Sequence, residues 1–130
     1  FTKFPLGITT LPSLTALNLA GNQITALIIP ENTLTQLQYF TFSNNGMTSF
    51  PLHVCRLTAL LALDLSENGI ILIGDQIQKL SSLRALNLSH NQLTEIAPEV
   101  CQLQHLHILN VSHNKLTTVL EEISNLIELR

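Results

Sequence analysis

A glutamate and two histidines recur at one fixed spacing, and all three are residue types that bind zinc. Glu67, His90 and His113 are spaced by 23 residues. If residues with this spacing lie side by side on neighbouring strands, roughly 5 Å apart, the three side chains could share one ion. No other side chain in the sequence is placed to orient the imidazole rings, and the strip is open to water. We therefore expect no metal and no other cofactor here.

The sequence carries no motif of a known catalytic or nucleotide-binding site. The patterns G-x-S-x-G and H-E-x-x-H are absent, and the 5 glycines of the chain form no glycine-rich dinucleotide-binding motif. Four serines share one column, but we expect them to face open solvent, with no pocket to exclude water from a nucleophile. These serines are Ser43, Ser66, Ser89 and Ser112. We expect neither catalysis nor a small-molecule substrate.

The composition argues against two further classes of partner. The chain has 130 residues and a formal net charge of -3, and its 6 Lys and Arg residues are spread from Lys3 to Arg130. They form no basic stripe that neutralises phosphates, so we expect no binding to nucleic acid. No run approaches the roughly 18 consecutive apolar residues that a membrane helix needs, so we also expect no membrane insertion.

One period of 23 residues runs through the whole sequence. Five asparagines follow it: Asn22, Asn45, Asn68, Asn91 and Asn114. The period predicts a single array over residues 1–130. Its parts are a partial repeat at 1–13, full repeats at 14–36, 37–59, 60–82, 83–105 and 106–128, and the start of another at 129–130. Neither end has the polar cap that a stack of repeats needs, so we expect a fragment of a longer array.

Each repeat begins with a short alternating segment that predicts a β-strand. Leu17 and Leu19 are expected to point into a core and Asn18 to point out, because successive side chains of a strand face opposite sides. Stacked repeats then form a parallel sheet over one continuous core. The asparagine after each strand lies where the chain turns, and its amide can satisfy backbone groups that the turn leaves unpaired. We assign all five asparagines this structural role.

The second half of each repeat has apolar residues at spacings of three and four, as in the segment IGDQIQKL. This spacing predicts a short helix or a tighter 3₁₀ turn on the outer side. The first full repeat departs from the pattern, because Glu31 takes a position that later repeats fill with valine or isoleucine. We expect an irregular outer side there, with Ile28 and Ile29 compensating.

The strand segments resemble the leucine-rich-repeat pattern L-x-x-L-x-L-x-x-N-x-L, whose repeats are roughly 20 to 29 residues long. The five matching segments are LTALNLAGNQI, LQYFTFSNNGM, LLALDLSENGI, LRALNLSHNQL and LHILNVSHNKL. The resemblance covers the whole chain. It implies an α/β fold, a curved solenoid with a parallel β-sheet on its concave face and short 3₁₀ or helical turns on its convex face.

The repeat length, with endings such as FPLHVCRL, IAPEVCQL and VLEEISNL, is similar to an intracellular class that includes scribble, erbin and the Ras-binding leucine-rich-repeat proteins. Repeats of that class end in the pattern L-P-x-x-I-x-x-L. This chain has the proline at Pro5 and Pro51, and Ile28, Gly74, Ala97 and Leu120 replace it in the other repeats. The resemblance implies a cytoplasmic, non-catalytic scaffold or adaptor that binds a protein partner in signalling. Two alternatives stay open, because fold and function separate readily. They are a regulatory or targeting segment of a larger signalling enzyme, and the ectodomain of a receptor.

Two cysteines and two glycosylation sequences bear on the compartment. Cys55 and Cys101 fall two repeats apart, so strand spacing separates them by at least roughly 10 Å, beyond the ~7 Å Cα limit for a disulfide. Cysteines that cannot reach each other favour the reducing cytoplasm. Asn87 and Asn110 each begin an N-x-S sequence, the acceptor for glycans in a secreted protein, although the repeat pattern itself spells these letters. We predict a cytoplasmic protein, with an extracellular one as the alternative.

Departures from the repeat pattern mark the candidate contact surface. Tyr39 stands in an outward strand column that three other repeats fill with alanine and one with isoleucine. An exposed aromatic side chain is the kind of anchor that dominates binding energy. Charged and imidazole side chains at other outward positions add polar contacts. We predict that the partner contacts the concave face at Tyr39, Asp64, Glu67, Arg84, His107 and His113.

Ile71 and Leu72 form a second candidate patch, in the loop after Asn68. Four other repeats have threonine at the position of Ile71. Two adjacent exposed aliphatic side chains can mark an interface, whereas single ones scattered over a surface carry no such meaning. We therefore expect this pair to be exposed and treat it as a second contact surface.

Overall fold

Each repeat contributes one three-residue strand at the position that the alternation of leucine and polar residues predicts. The computed structural model describes residues 1–118. Its strands are β1 Ala16–Asn18, β2 Tyr39–Thr41, β3 Ala62–Asp64, β4 Ala85–Asn87 and β5 Ile108–Asn110. They form one sheet in the order β1-β2-β3-β4-β5. The end of the last predicted repeat, at 119–128, and the segment 129–130 lie outside the described residues.

Every neighbouring pair of strands is parallel, and each residue pairs with its equivalent in the next repeat. Tyr39 therefore pairs with both Ala16 and Ala62, and Ala85 pairs with Ile108. The inward leucines and phenylalanines of all repeats join one hydrophobic core, in which Leu86 is fully buried. This is the predicted α/β solenoid, with its sheet on the concave face, and the fold class is confirmed.

The outer side of most repeats carries one turn of 3₁₀ helix, as the spacing of its apolar residues predicts. The four 3₁₀ helices of the described residues are Leu6–Thr10, Leu52–Arg56, Asp75–Lys79 and Pro98–Gln102. In the second of them, Val54 is fully buried and its carbonyl accepts the N–H of Leu57 at 3.0 Å. One buried aliphatic residue, Val54, Ile77 or Val100, thus anchors each of the last three turns against the core, whereas Leu6–Thr10 has no buried residue. Such turns rarely extend further.

The first full repeat is the exception that Glu31 predicts. Its outer side forms turns instead of a 3₁₀ helix, and Asn32 and Leu34 adopt positive φ angles of 58° and 52°. Glu31 faces solvent, where a carboxylate oxygen lies 3.4 Å from Arg56 Nη2. A carboxylate at the anchoring position cannot enter an apolar core without a large desolvation cost, so the segment turns it outward.

Ile29 compensates for the missing anchor, whereas Ile28 does not. Ile29 is fully buried and Ile28 is exposed. The backbone of Ile29 is also tied to the following repeat. Its N–H donates to His53 Nδ1 at 3.2 Å, and its carbonyl accepts from Arg56 Nη1 at 2.8 Å. The irregular outer side is confirmed, and a single isoleucine fills the space beneath it.

The asparagine ladder connects neighbouring repeats at the carboxyl ends of the strands. Asn91 Nδ2 donates to the carbonyls of Leu65, Leu88 and Ser89 at 3.0, 3.1 and 3.3 Å, and its Oδ1 accepts the N–H of Ile70 at 3.0 Å. The ladder members Asn45, Asn68 and Asn114 make the same set of bonds. One amide therefore satisfies backbone groups of its own turn and of the repeat before it.

Candidate concave interaction surface

At the carboxyl ends of β3 and β4, the outward side chain accepts hydrogen bonds from the serine two residues later. Asp64 Oδ1 accepts the N–H of Ser66 at 2.9 Å and its hydroxyl at 2.6 Å. Asn87 Oδ1 accepts the equivalent pair from Ser89 at 3.1 and 2.8 Å. These are Asx turns, in which a short polar side chain substitutes for a backbone turn. Carboxylate and amide perform the same structural task at this position.

The prediction that the serine column faces open solvent is wrong for Ser66 and Ser89. Both are only 6% exposed, and each hydroxyl turns back to donate to the side chain two residues earlier. Ser43 is partly buried and Ser112 is exposed. A hydroxyl held in this way serves the turn, so the serines contribute to the geometry of the surface and not to its chemistry.

A shallow hollow of about 190 Å³ lies on the outward face of β2 to β5. Ala62 and Ala85 form its floor, and Tyr39 and Ile108 stand at its two ends. Thr41, Asp64 and Asn87 form the side towards the carboxyl ends of the strands. Tyr39 is 51% exposed and Ile108 is 55% exposed. Tyr39 and Ile108 are the two largest side chains of the outward strand column that also contains Ala62 and Ala85. They therefore project into solvent on either side of the two alanine methyl groups.

The register of the sheet creates this hollow. Tyr39 and Ile108 are three strands apart, which corresponds to roughly 14 Å between their Cα atoms. Alanine on the two strands between them leaves the space open. Asp64 is the single charged residue in the lining. The volume is below the roughly 300–1,000 Å³ of small-molecule sites, so the hollow is suited to one side chain of a larger partner.

The six predicted contact residues fall into three groups. Tyr39 and Asp64 line the hollow. Arg84 and His107 lie together just before β4 and β5, where the N–H of His107 donates to the carbonyl of Arg84 at 2.8 Å. Glu67 and His113 lie beyond the carboxyl ends of the strands and are not among the residues that line the hollow. The structure therefore brings two of the predicted residues together in the hollow and places the others on its two sides.

The residues beyond the carboxyl ends share an unusual backbone conformation. Glu67, His90 and His113 have φ angles of 53°, 53° and 54°. The rings of His90 and His113 stack, with centroids 4.1 Å apart and an interplanar angle of 11°. Within residues 1–118, no group of three or more histidine, cysteine, aspartate or glutamate side chains is arranged to hold a metal ion. The 23-residue spacing thus brings the imidazole rings of His90 and His113 into stacking contact.

Ile108 is the residue of the hollow that the sequence did not single out. The signal was present, because isoleucine replaces alanine in the column that also contains Tyr39. An isoleucine in a strand is ordinary, however, since β-branched residues favour strands. Its position becomes informative only when the register places it opposite Tyr39 across an alanine floor.

Two further apolar regions are exposed away from the hollow. Ile71 and Leu72 are each 51% exposed, as expected for the second candidate patch. A larger hollow of about 410 Å³ is lined in part by Phe4, Leu6 and Ile28. Of these three side chains, Leu6 and Ile28 are exposed.

The cysteines and glycosylation sequences differ in their surroundings. Cys55 and Cys101 are not joined by a disulfide, as their spacing predicts. Burial raises the pKa of the Cys55 thiol to about 12, so this thiol stays protonated at neutral pH. Asn110 is exposed, whereas Asn87 is partly buried at the side of the hollow. In the part of the chain that the structure describes, no helix is long and apolar enough to cross a membrane.

Solved structures with the same architecture come from bacteria and plants. A leucine-rich-repeat protein of Leptospira interrogans is 36% identical with a TM-score of 0.91, over 100% of this chain and 33% of that one. An internalin of Listeria monocytogenes is 32% identical with a TM-score of 0.84, over 98% and 36%. The leucine-rich-repeat ectodomain of a membrane receptor kinase of Arabidopsis thaliana, in complex with Casparian strip integrity factor 2, is 32% identical with a TM-score of 0.84, over 98% and 16%.

The chain spans about a third of the first two of these proteins and less of the third. No curated protein sequence matches it significantly. Three leucine-rich-repeat family models match its sequence, over residues 10–28, 35–93 and 81–128. The stacked strands, the ladder and the 3₁₀ turns agree with these matches. The chain belongs to the leucine-rich-repeat proteins.

Proposed function

We propose that this chain is a non-catalytic protein–protein interaction module, a scaffold or adaptor, that binds a protein partner on its concave face. The observation that carries the proposal is the pair of exposed apolar side chains, Tyr39 and Ile108, on either side of the alanine floor. The proposed contact surface combines this hollow with residues on its two sides. It comprises Tyr39, Asp64, Glu67, Arg84, His107, Ile108 and His113.

The energetics favour the hollow as the centre of the contact. Full burial of one large apolar side chain contributes about 1.5–3 kcal/mol, and Tyr39 and Ile108 each have half of their surface left to bury. Binding energy at protein interfaces concentrates in such central anchors, surrounded by polar contacts that exclude water. Arg84 on one side and Glu67 on the other are placed to supply those polar contacts.

Affinity purification from the source cells tests the concave site. The variant Tyr39→Ala with Arg84→Glu removes the anchor and reverses one charge. Its matched control is Leu52→Ala with Lys79→Glu, which makes the same kinds of change at exposed positions of the convex 3₁₀ helices. We expect the concave variant to lose partners that wild type and the convex control both retain. An identical set of partners for all three proteins would remove the concave site from consideration.

Ile71 and Leu72 are proposed as a second contact surface, because two adjacent aliphatic side chains are exposed there. The variant Ile71→Thr with Leu72→Ser restores residue types that other repeats have at these positions. If the partner uses this patch, the variant binds it less tightly than wild type does. Unchanged affinity would restrict the contact to the concave face.

We propose a cytoplasmic location and a role in signalling, in line with the similarity of the repeats to the scribble and erbin class. Cys55 and Cys101 are too far apart in the repeat array to bond to each other, which supports the reducing compartment. The alternative of a receptor ectodomain is supported by the likeness to the plant receptor ectodomain and by the N-x-S sequences at Asn87 and Asn110. Mass spectrometry of the protein from its source distinguishes the two, because a glycan on either asparagine requires secretion. A regulatory or targeting role in a larger signalling enzyme would instead be evident from flanking catalytic sequence.

A further inference from the structure

We infer that the hollow between Tyr39 and Ile108 receives a basic side chain of the partner, an arginine or a lysine. This inference rests on the proposed function and adds the chemistry of the ligand. The hollow combines an aromatic ring, a floor of methyl groups and one carboxylate. A side chain that matches all three has an aliphatic stem and a cationic end, and arginine and lysine alone have both.

The stem would lie across Ala62 and Ala85, where it covers apolar surface. The charged end would then reach Asp64, which is on the same strand as Ala62. Both bonds from Ser66 go to Asp64 Oδ1, so Oδ2 remains able to accept from a ligand. Tyr39 pairs with Ala62 in the adjacent strand and lines the same hollow as Asp64, so we expect a cation bound there to contact its ring. Charge-assisted hydrogen bonding and the cation–π contact would act on the same group.

Other ligand side chains fit this lining less well. An acidic side chain would be repelled by the Asp64 carboxylate, the single charged group in the lining. A purely aliphatic one would cover the alanine floor but displace water from Asp64 without replacing its hydrogen bonds. Arg84 precedes β4, at the opposite end of the strands from Asp64, so the cation is expected to enter from the Asp64 side. The net charge of -3 further favours a basic partner.

The repeats themselves supply variants that change the hollow and preserve the fold. Asp64→Asn removes the charge and keeps the turn, because Asn87 makes the same bonds to its own serine. Tyr39→Ala and Ile108→Ala install the residue that three other repeats have in this column. A loss of binding in these variants can therefore be assigned to the hollow.

The test selects displayed short random peptides on the full 130-residue chain, with parallel selection on the variant Tyr39→Ala with Ile108→Ala. Peptides specific to wild type are expected to be enriched in arginine or lysine. Each is then synthesised with its basic residue replaced by a neutral analogue, which is citrulline for arginine and, for lysine, norleucine, which lacks the ammonium group. We expect Asp64→Asn and the neutral peptide each to weaken binding about three- to tenfold, and the two changes together to be less than multiplicative.

The outcomes separate the inference from the proposed function. If wild-type-specific peptides show no basic enrichment, or bind Asp64→Asn as tightly as wild type, the basic side chain is refuted while the concave site stands. If wild type and the Tyr39→Ala, Ile108→Ala variant select the same peptides, or if neither enriches any, both the hollow and the concave site are refuted.

Discussion

The asparagine ladder and the concave hollow lie at the same sheet but use their side chains in opposite ways. Asn91 is 3% exposed and makes four hydrogen bonds within the chain. Tyr39 and Ile108 expose half of their surface and cover little of the protein. The ladder repeats one residue type in every repeat, whereas the hollow exists because two repeats depart from alanine. Stability and binding are therefore expected to depend on separate sets of residues.

Asp64 belongs to both regions. Its Oδ1 accepts two hydrogen bonds from Ser66 and so contributes to the turn, and its charge faces the hollow. The two following repeats form the turn with neutral asparagines, Asn87 and Asn110, so the charge itself has no structural requirement. Substitutions at the ladder, in the hollow and at this shared residue can each test the separation.

The largest expected effect is at the ladder. Asn91→Ala leaves the N–H of Ile70 without its partner and removes a donor from three carbonyls, all in a buried setting. We expect the free energy of unfolding to fall by about 2–4 kcal/mol, since each buried unsatisfied group costs about 1–3 kcal/mol. Urea denaturation followed by circular dichroism measures the change.

The control for this substitution is His90→Asn. It changes the preceding residue, which is exposed and has a positive φ angle that asparagine tolerates, as Asn44 shows. Its stability should stay within about 0.5 kcal/mol of wild type. If both variants lost the same stability, the special role of the ladder would be contradicted.

An intermediate effect is expected in the hollow, and on binding alone. Tyr39→Ala with Ile108→Ala should weaken the affinity for a concave-face peptide by tenfold or more, about 1.4 kcal/mol, because two exposed anchors are lost. The free energy of unfolding should change by less than about 0.5 kcal/mol, since surface substitutions rarely do more. Isothermal titration calorimetry and urea denaturation of the same preparations compare the two quantities. A large loss of stability would show that the anchors also support the fold.

The smallest effect is expected at Asp64, the residue shared by the two regions. Asp64→Asn should leave the free energy of unfolding within about 0.5 kcal/mol of wild type, because the amide oxygen accepts the same bonds. Asp64→Ala removes the acceptor and should cost about 1 kcal/mol, the usual contribution of a hydrogen bond to stability. Thermal denaturation resolves this difference. If the two variants were equally destabilised, the carboxylate itself would be needed for the turn.

Sequence reasoning was most accurate where a residue type recurs. The strands follow from leucines that alternate with polar residues, and the irregular first repeat follows from the charge of Glu31, which cannot replace a buried aliphatic residue. It was least accurate for Ser66 and Ser89, which were expected to face open solvent and are buried. It also did not identify Ile108 as a contact residue. Periodicity reports which face a side chain occupies, but not its hydrogen bonds or its neighbours across several strands.

The sequence by itself therefore determined the period, the parallel sheet and the positions of the ladder, because each is a local rule repeated five times. The tertiary structure decided which departures from the pattern act together. Tyr39 and Ile108 are far apart along the chain, and only a sheet that keeps every repeat in register brings them to the two ends of one alanine floor. The physical reason is that strand spacing, and not chain length, sets the distance between equivalent residues in a solenoid.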